Sequence, residues 1–137
     1  PDWVNLVPIT TDGDIVLVRQ YRHGSQSQTL EIPGGMVDAG ESPASAAMRE
    51  CEEETGYRAT ETHSLGVLNP NPALFNNRLH TYYAYVEEST ADAHASETEV
   101  IEIELVAIDR IESLLLDGTI DHALVCATLW RFLGQIK

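Results

Sequence analysis

The apolar positions of the chain come in short runs whose spacing changes along the sequence. Residues 4–10 (VNLVPIT) and 15–22 (IVLVRQYR) are apolar, β-branched stretches on either side of the turn sequence TDGD, which predicts a hairpin over residues 4–22. A short strand at 30–32 (LEI) runs into Pro33-Gly34-Gly35, a stretch that bends the backbone. From Ser42 the period becomes helical: Ser42 suits an N-cap, Pro43 a first helical position, and Gly56 a left-handed C-terminal cap. A strand is expected over much of 57–68 and another over 78–87 (RLHTYYAYVE). Between them lies NPNPALFNN, whose two prolines and four asparagines rule out regular structure. After the polar loop STADAHASETE, residues 101–108 (IEIELVAI) alternate, with Ile101, Ile103 and Leu105 on one face and Glu102 and Glu104 on the other, outward one. Two helices close the chain, at about 109–116, ended by Asp117-Gly118, and about 120–134. With no repeat or linker, the pattern predicts one mixed α+β domain over residues 1–137.

Composition narrows the classes of function. A chain of 137 residues that is 43% hydrophobic can bury a core of its own. No apolar stretch approaches the ~20 residues of a membrane helix, and the N-terminal PDWVNLVPIT lacks the basic start and apolar block of a signal peptide. A cytoplasmic protein with no membrane partner is therefore expected. Cys51 and Cys126 are the only cysteines, too few for a disulfide framework, and both sit in helical apolar patterns as reduced core thiols. The formal charge of −14 argues against nucleic acid as a partner, and a site for a small phosphorylated ligand would need cations to intervene.

The densest acidic feature is RECEEETG at residues 49–56, in a chain with only eight Lys and Arg. At about 100° per residue, Ala44, Ala47, Met48, Cys51 and Thr55 share one face of the helix, while Glu50, Glu53 and Glu54 share another. Glu52 points away and is expected in solvent. Carboxylates at i, i+3 and i+4 repel one another by tenths of a kcal/mol per pair, which hard divalent cations with oxygen ligands would offset. A solvated acidic face is the plainer alternative. An EF-hand is excluded, because no D-x-[DN]-x-[DN]-G loop is present. Glycines before the helix allow close backbone approach and offer carbonyl ligands.

Residues 35–57 (GMVDAGESPASAAMRECEEETGY) fit the pattern G-x5-E-x7-R-E-U-x-E-E-x-G-U, with U apolar, through Gly35, Glu41, Arg49, Glu50, Glu53, Glu54 and Gly56. Cys51 and Tyr57 fill the U positions, less typically than Leu, Ile or Val. This segment resembles the Nudix box. The resemblance implies an α+β Nudix fold, a mixed β-sheet sandwiched between α-helices, and hydrolysis of a nucleoside diphosphate linked to another moiety with bound Mg²⁺ or Mn²⁺. It further implies Glu50 and Glu54 as core metal ligands, Glu53 as a ligand or water-positioning group, the Gly34 carbonyl as a further ligand, and Arg49, paired with Glu41, as the group that orients the glutamates.

Downstream, SETEVIEI resembles the acidic loop of ADP-ribose pyrophosphatases, which implies Glu97 or Glu99 as a metal ligand or water-activating group; a plain acidic loop is the alternative. Pro72 lies fifteen residues beyond Tyr57, and NPNPALFNNRLH and VRQYRHG…TLEIPGG also resemble the ADP-ribose and nucleotide-sugar branch. Arg22 and Arg78 are then phosphate or ribose contacts, with surface ion pairs an equal reading, and Phe75 either stacks on a base or packs the proline loop down. His23 and His80 read as ordinary loop and strand residues. The branch implies a homodimer, commonly with strands ahead of the core, whereas this chain starts almost at the core strand. A nucleoside triphosphate pyrophosphohydrolase is the alternative within the enzyme class, and a non-catalytic nucleotide sensor the alternative outside it.

Overall fold

The computed structural model describes residues 1–89 and 102–136. The strands are β1 (Trp3–Ile9), β2 (Asp14–Arg22), β3 (Ser27–Glu31), β4 (Gly34–Met36), β5 (Tyr57–Ala59), β6 (His63–Leu68), β7 (Leu79–Glu88) and β8 (Glu102–Ala107). The helices are α1 (Pro43–Thr55), α2 (Ile108–Leu116) and α3 (Ala123–Gln135). The strands form one mixed sheet with the path β3-β2-β1-β7-β5, to which β4 adds on β1, β6 on β7 and β8 on β2.

β1 is the central strand, and Val4 through Ile9 are all buried because it is covered on both faces. Val4 and Leu6 pack with Ala46, Ala47 and Cys51 of α1. Val7 and Ile9 pack on the opposite face with Ile111 and Leu115 of α2 and Leu129 and Phe132 of α3. Two cores thus share one strand, and the sheet is sandwiched between α1 and the α2–α3 pair.

The 43–55 helix forms as its end signals predict. Ser42 accepts from the Ser45 amide at 3.2 Å, and Gly56 closes the helix at φ 73. Three expectations are corrected. The 4–22 hairpin turns at 10–14, with Gly13 at φ 82 and the Thr10 amide donating to the Asp14 carbonyl at 2.8 Å, but its strands pair no further than Ile9 with Ile15. The full-length partner of β1 is β7, in parallel from Trp3↔Leu79 to Ile9↔Tyr85, a long-range pairing that no local pattern can reveal. Residues 57–68 form two strands, β5 and β6, both on β7, with a bulge between Ser64 and Gly66. In β8, Ile103 and Leu105 are 44% and 49% exposed. They lie opposite Val18 and Val16 on the α1 face, but α1 packs mainly over β1, β4 and β5, so this edge strand falls outside its footprint.

Candidate active site

The acidic stripe of α1 is organised by Arg49. Its Nε and one terminal nitrogen donate to the two oxygens of Glu41 at 2.9 and 3.1 Å, and that terminal nitrogen also donates to the Met36 carbonyl at 3.2 Å. The other terminal nitrogen donates to Glu50 at 3.0 Å and Glu53 at 3.3 Å. Asp38 stands at 3.4 Å. One guanidinium therefore ties the loop before the helix to two carboxylates on it. The Arg49 hydrogen bond holds the Glu41 carboxyl below the usual carboxylate range. Burial pushes Glu50 upward; Arg49 opposes this and the nearby Glu53 charge adds to it.

Gly34 and Gly35 bring the β4 backbone against this stripe. The Gly34 amide donates to Glu54 Oε2 at 3.1 Å. A Cβ on Gly35 would fall on the Glu50 carboxylate, and one on Gly34 would overlap the Val4 carbonyl oxygen. Glycine is thus required for packing at one position and for room beside a carboxylate at the next. Glu50 and Glu53 turn toward Arg49, and Glu54 toward the Gly34 amide. Among the described residues, no three acidic, histidine or cysteine side chains close on a common point. The donor set still fits a hard divalent ion: carboxylates at i and i+4 of one helix, beside a glycine backbone that leaves space at Glu50.

Glu50 and Glu54 line a cleft of about 1010 Å³. Gly34, Gly35, Trp3, Gln20, Arg22, Thr29 and Glu31 line it too, with His122 and Leu124 from the start of α3. Cross-strand register explains the polar part: Gln20 opposite Thr29, and Val18 opposite Glu31, set Gln20, Arg22, Thr29 and Glu31 on one face of the β2–β3 hairpin. Arg22 donates to both oxygens of Glu31 at 2.7 and 2.6 Å, and Thr29 Oγ1 donates to the same carboxylate. In the cleft wall, Asn5 Nδ2 donates to the Leu124 carbonyl at 3.3 Å and its Oδ1 accepts from Thr128 at 2.8 Å, fixing α3 to β1.

The expected site residues fall into three groups. Arg49, Glu50, Glu53 and Glu54 share the α1 stripe, with Gly34 beside it and Arg22 along the same cleft. Pro72, Phe75 and Arg78 do not line that cleft. Phe75 is 56% exposed and so is not packed down either. The Arg78 backbone is held by Asp2 and Trp3 where β7 begins, and its side chain is exposed. Glu97 and Glu99 lie outside the described residues. Glu52, expected in solvent, accepts from Ser89 Oγ at 3.0 Å and so links α1 to the end of β7. Trp3, Asn5, Thr29, Glu31 and His122 went unnoticed in the sequence. No local signal marks them, because they meet only once β2 pairs with β3 and α3 docks on β1.

The fold and this loop–helix arrangement define a class. A model of the NUDIX domain matches residues 3–129, so the chain belongs to the Nudix family. It is 31% identical over 118 residues to an ADP-ribose pyrophosphatase of Bacillus subtilis, covering 82% of this chain and 64% of the relative. It is 34% identical over 107 residues to a CMP-5'-(N-acetyl-N-hydroxy-3-aminopropyl)phosphonate hydrolase of Streptomyces rubellomurinus, covering 76% of this chain and 50% of that protein. A crystal structure of an ADP compounds hydrolase superposes with a TM-score of 0.88 at 26% identity, over 98% of this chain and 72% of the other. The chain thus spans less than two thirds of the length of these two curated relatives.

Proposed function

We propose that the protein hydrolyses the pyrophosphate bond of a nucleoside diphosphate joined to a sugar, ADP-ribose or a related nucleotide sugar, releasing a nucleoside monophosphate and a sugar phosphate. The observation that carries this reading is the cleft itself, lined both by the Nudix-box carboxylates Glu50 and Glu54 and by the guanidinium-bearing Arg22. The names of the relatives support it, since each describes a nucleotide compound. A triphosphate as substrate would bring more negative charge into a cleft whose charged wall residues are otherwise Glu31, Glu50, Glu54 and Asp121.

Glu50 and Glu54, with Glu53 and the Gly34 carbonyl, would hold Mg²⁺ or Mn²⁺, which supplies charge neutralisation at the pyrophosphate and an activated water. Arg49 keeps Glu50 and Glu53 apart from free rotation and anchors them to the Glu41 loop. Arg22 binds phosphate oxygens as a charge-assisted donor. Glu97 and Glu99 remain candidates for activating the water, read out by Glu97→Gln and Glu99→Gln. We further place the protein in the cytoplasm as a homodimer; light scattering measures the latter. No helix among the described residues is long and apolar enough to cross a membrane.

A substrate panel of ADP-ribose, other nucleotide sugars and dGTP with Mg²⁺ tests the reading. Nucleotide sugars should be preferred. Turnover of dGTP about tenfold better would replace it with triphosphate hydrolysis, and phosphate release that survives Glu54→Gln without metal would remove the assigned site.

A further inference from the structure

Glu31 is the one polar residue in the buried stretch Leu30–Glu31–Ile32, and it is only 3% exposed. A carboxylate removed from water at a cleft wall is expensive to desolvate, and an apolar residue of similar size would complete the wall at lower cost. What Glu31 does with its charge is specific. Both of its oxygens are taken by Arg22, through Nε at 2.7 Å and a terminal nitrogen at 2.6 Å, and Thr29 adds a third donor. This is the side-on fork that fixes a guanidinium plane, unlike a single-point contact. Arg22 stands opposite Ser27 in the strand register, so its side chain leans back along the hairpin past Gln20–Thr29 to reach Glu31. Arg22 is the only Lys or Arg among the described residues that line the cleft.

We propose that Glu31 is a positioning residue for the reaction. It touches no substrate, and it holds the Arg22 guanidinium in one orientation in the cleft wall so that this charge is presented to the substrate's phosphates. This inference rests on the functional reading above. The ordering cost of a long, half-exposed arginine is met in the free protein, so less is lost when the anion arrives. One further feature agrees with it. Burial alone would push the Glu31 carboxyl up, yet the Arg22 and Thr29 hydrogen bonds and the Arg22 charge together hold it below the usual carboxylate range.

A double-mutant cycle on ADP-ribose hydrolysis with Mg²⁺ separates positioning from direct contact. Glu31→Gln keeps the shape and removes the charge; KM should rise about tenfold, as expected for converting charged hydrogen bonds to neutral ones, with kcat within about twofold. Arg22→Ala should raise KM at least as much. In the Arg22→Ala background, Glu31→Gln should leave KM unchanged and raise the urea midpoint, because an unpaired buried carboxylate has gone. An effect of Glu31→Gln on KM that persists without Arg22, or no effect in the wild-type background, overturns the proposal. If Glu31→Gln does not fold, Thr29→Val removes only the third donor and should raise KM about two- to threefold. Should the wild type turn over no nucleotide in the panel, the functional reading fails. The cycle is then read by calorimetry with inorganic pyrophosphate: weakening by Glu31→Gln only when Arg22 is present sustains the positioning role, and equal weakening in both backgrounds ends it.

Discussion

Arg49 grips Glu41 with two hydrogen bonds, at 2.9 and 3.1 Å, from a helix position eight residues further along the chain. The remaining terminal nitrogen is committed to Glu50 and Glu53. A lysine at this position keeps the charge and loses the fork. Arg49→Lys should reduce kcat/KM about 10- to 100-fold, the usual cost of disturbing the groups that orient metal ligands, while circular dichroism stays that of the wild type. Steady-state kinetics on a nucleotide sugar check this.

The two glycines of β4 should fail in different ways. Alanine at Gly35 collides with the Glu50 carboxylate, which can swing aside, so Gly35→Ala should keep its thermal midpoint and bind Mn²⁺ about tenfold or more weakly. Alanine at Gly34 meets the Val4 carbonyl and Asn5, which belong to the central strand. Gly34→Ala should instead destabilise by about 1–3 kcal/mol, as overpacking does. Calorimetric titration beside thermal melts separates the two.

Glu31 gives stability a defined pH dependence. Its folded-state carboxyl lies below the ordinary value of about 4.3. The contribution is therefore fully present above that value and is lost as pH falls through the lower, folded-state one. Urea midpoints measured as the pH is lowered through the ordinary carboxylate range should decline more steeply in the wild type than in Glu31→Gln.

Cys51 packs against α1's neighbours in the core, and burial pushes its thiol up to about 12. Cys126 is only partly buried, and burial raises its thiol too. Reactivity requires the thiolate and access. Maleimide labelling of the native protein near neutral pH should reach Cys126 first and leave Cys51 unmodified until urea unfolds the chain. Mass spectrometry of the labelled peptides reads the order.

How much of this was legible depended on how local each cause is. The α1 helix could be read from Ser42, Pro43 and Gly56 because caps act within a turn. The stripe Glu50, Glu53 and Glu54 could be read because helical period fixes which side chains are neighbours. The pairing of β1 with β7 could not, since it joins distant segments by backbone geometry alone. Ile103 and Leu105 alternate as a buried face would, and their exposure follows from where α1 ends, which the strand's own sequence does not encode. Arg22 stands out by its charge in an acidic chain. Its partner Glu31 does not, because LEIPGG reads as a strand running into a turn, and the register with Thr29 and Gln20 that turns Glu31 into the cleft appears only once β2 and β3 are paired. Phe75 is suggested by its place in the proline loop and Arg78 by the scarcity of cations, and neither lines the cleft, although Leu79, next along the chain, does.

The Asn5–Thr128 hydrogen bond has a consequence for biosynthesis. It joins residues 123 positions apart, on β1 and α3, and Asn5 is itself part of the cleft wall. A ribosome emits this chain from the N-terminus, so the Nudix-box glutamates leave the exit tunnel long before α3 does. Until then Asn5 has no partner on α3 and the cleft lacks the wall at His122 and Leu124. A nascent chain would therefore carry its acidic helix without a finished cleft until α3 has emerged and docked on β1.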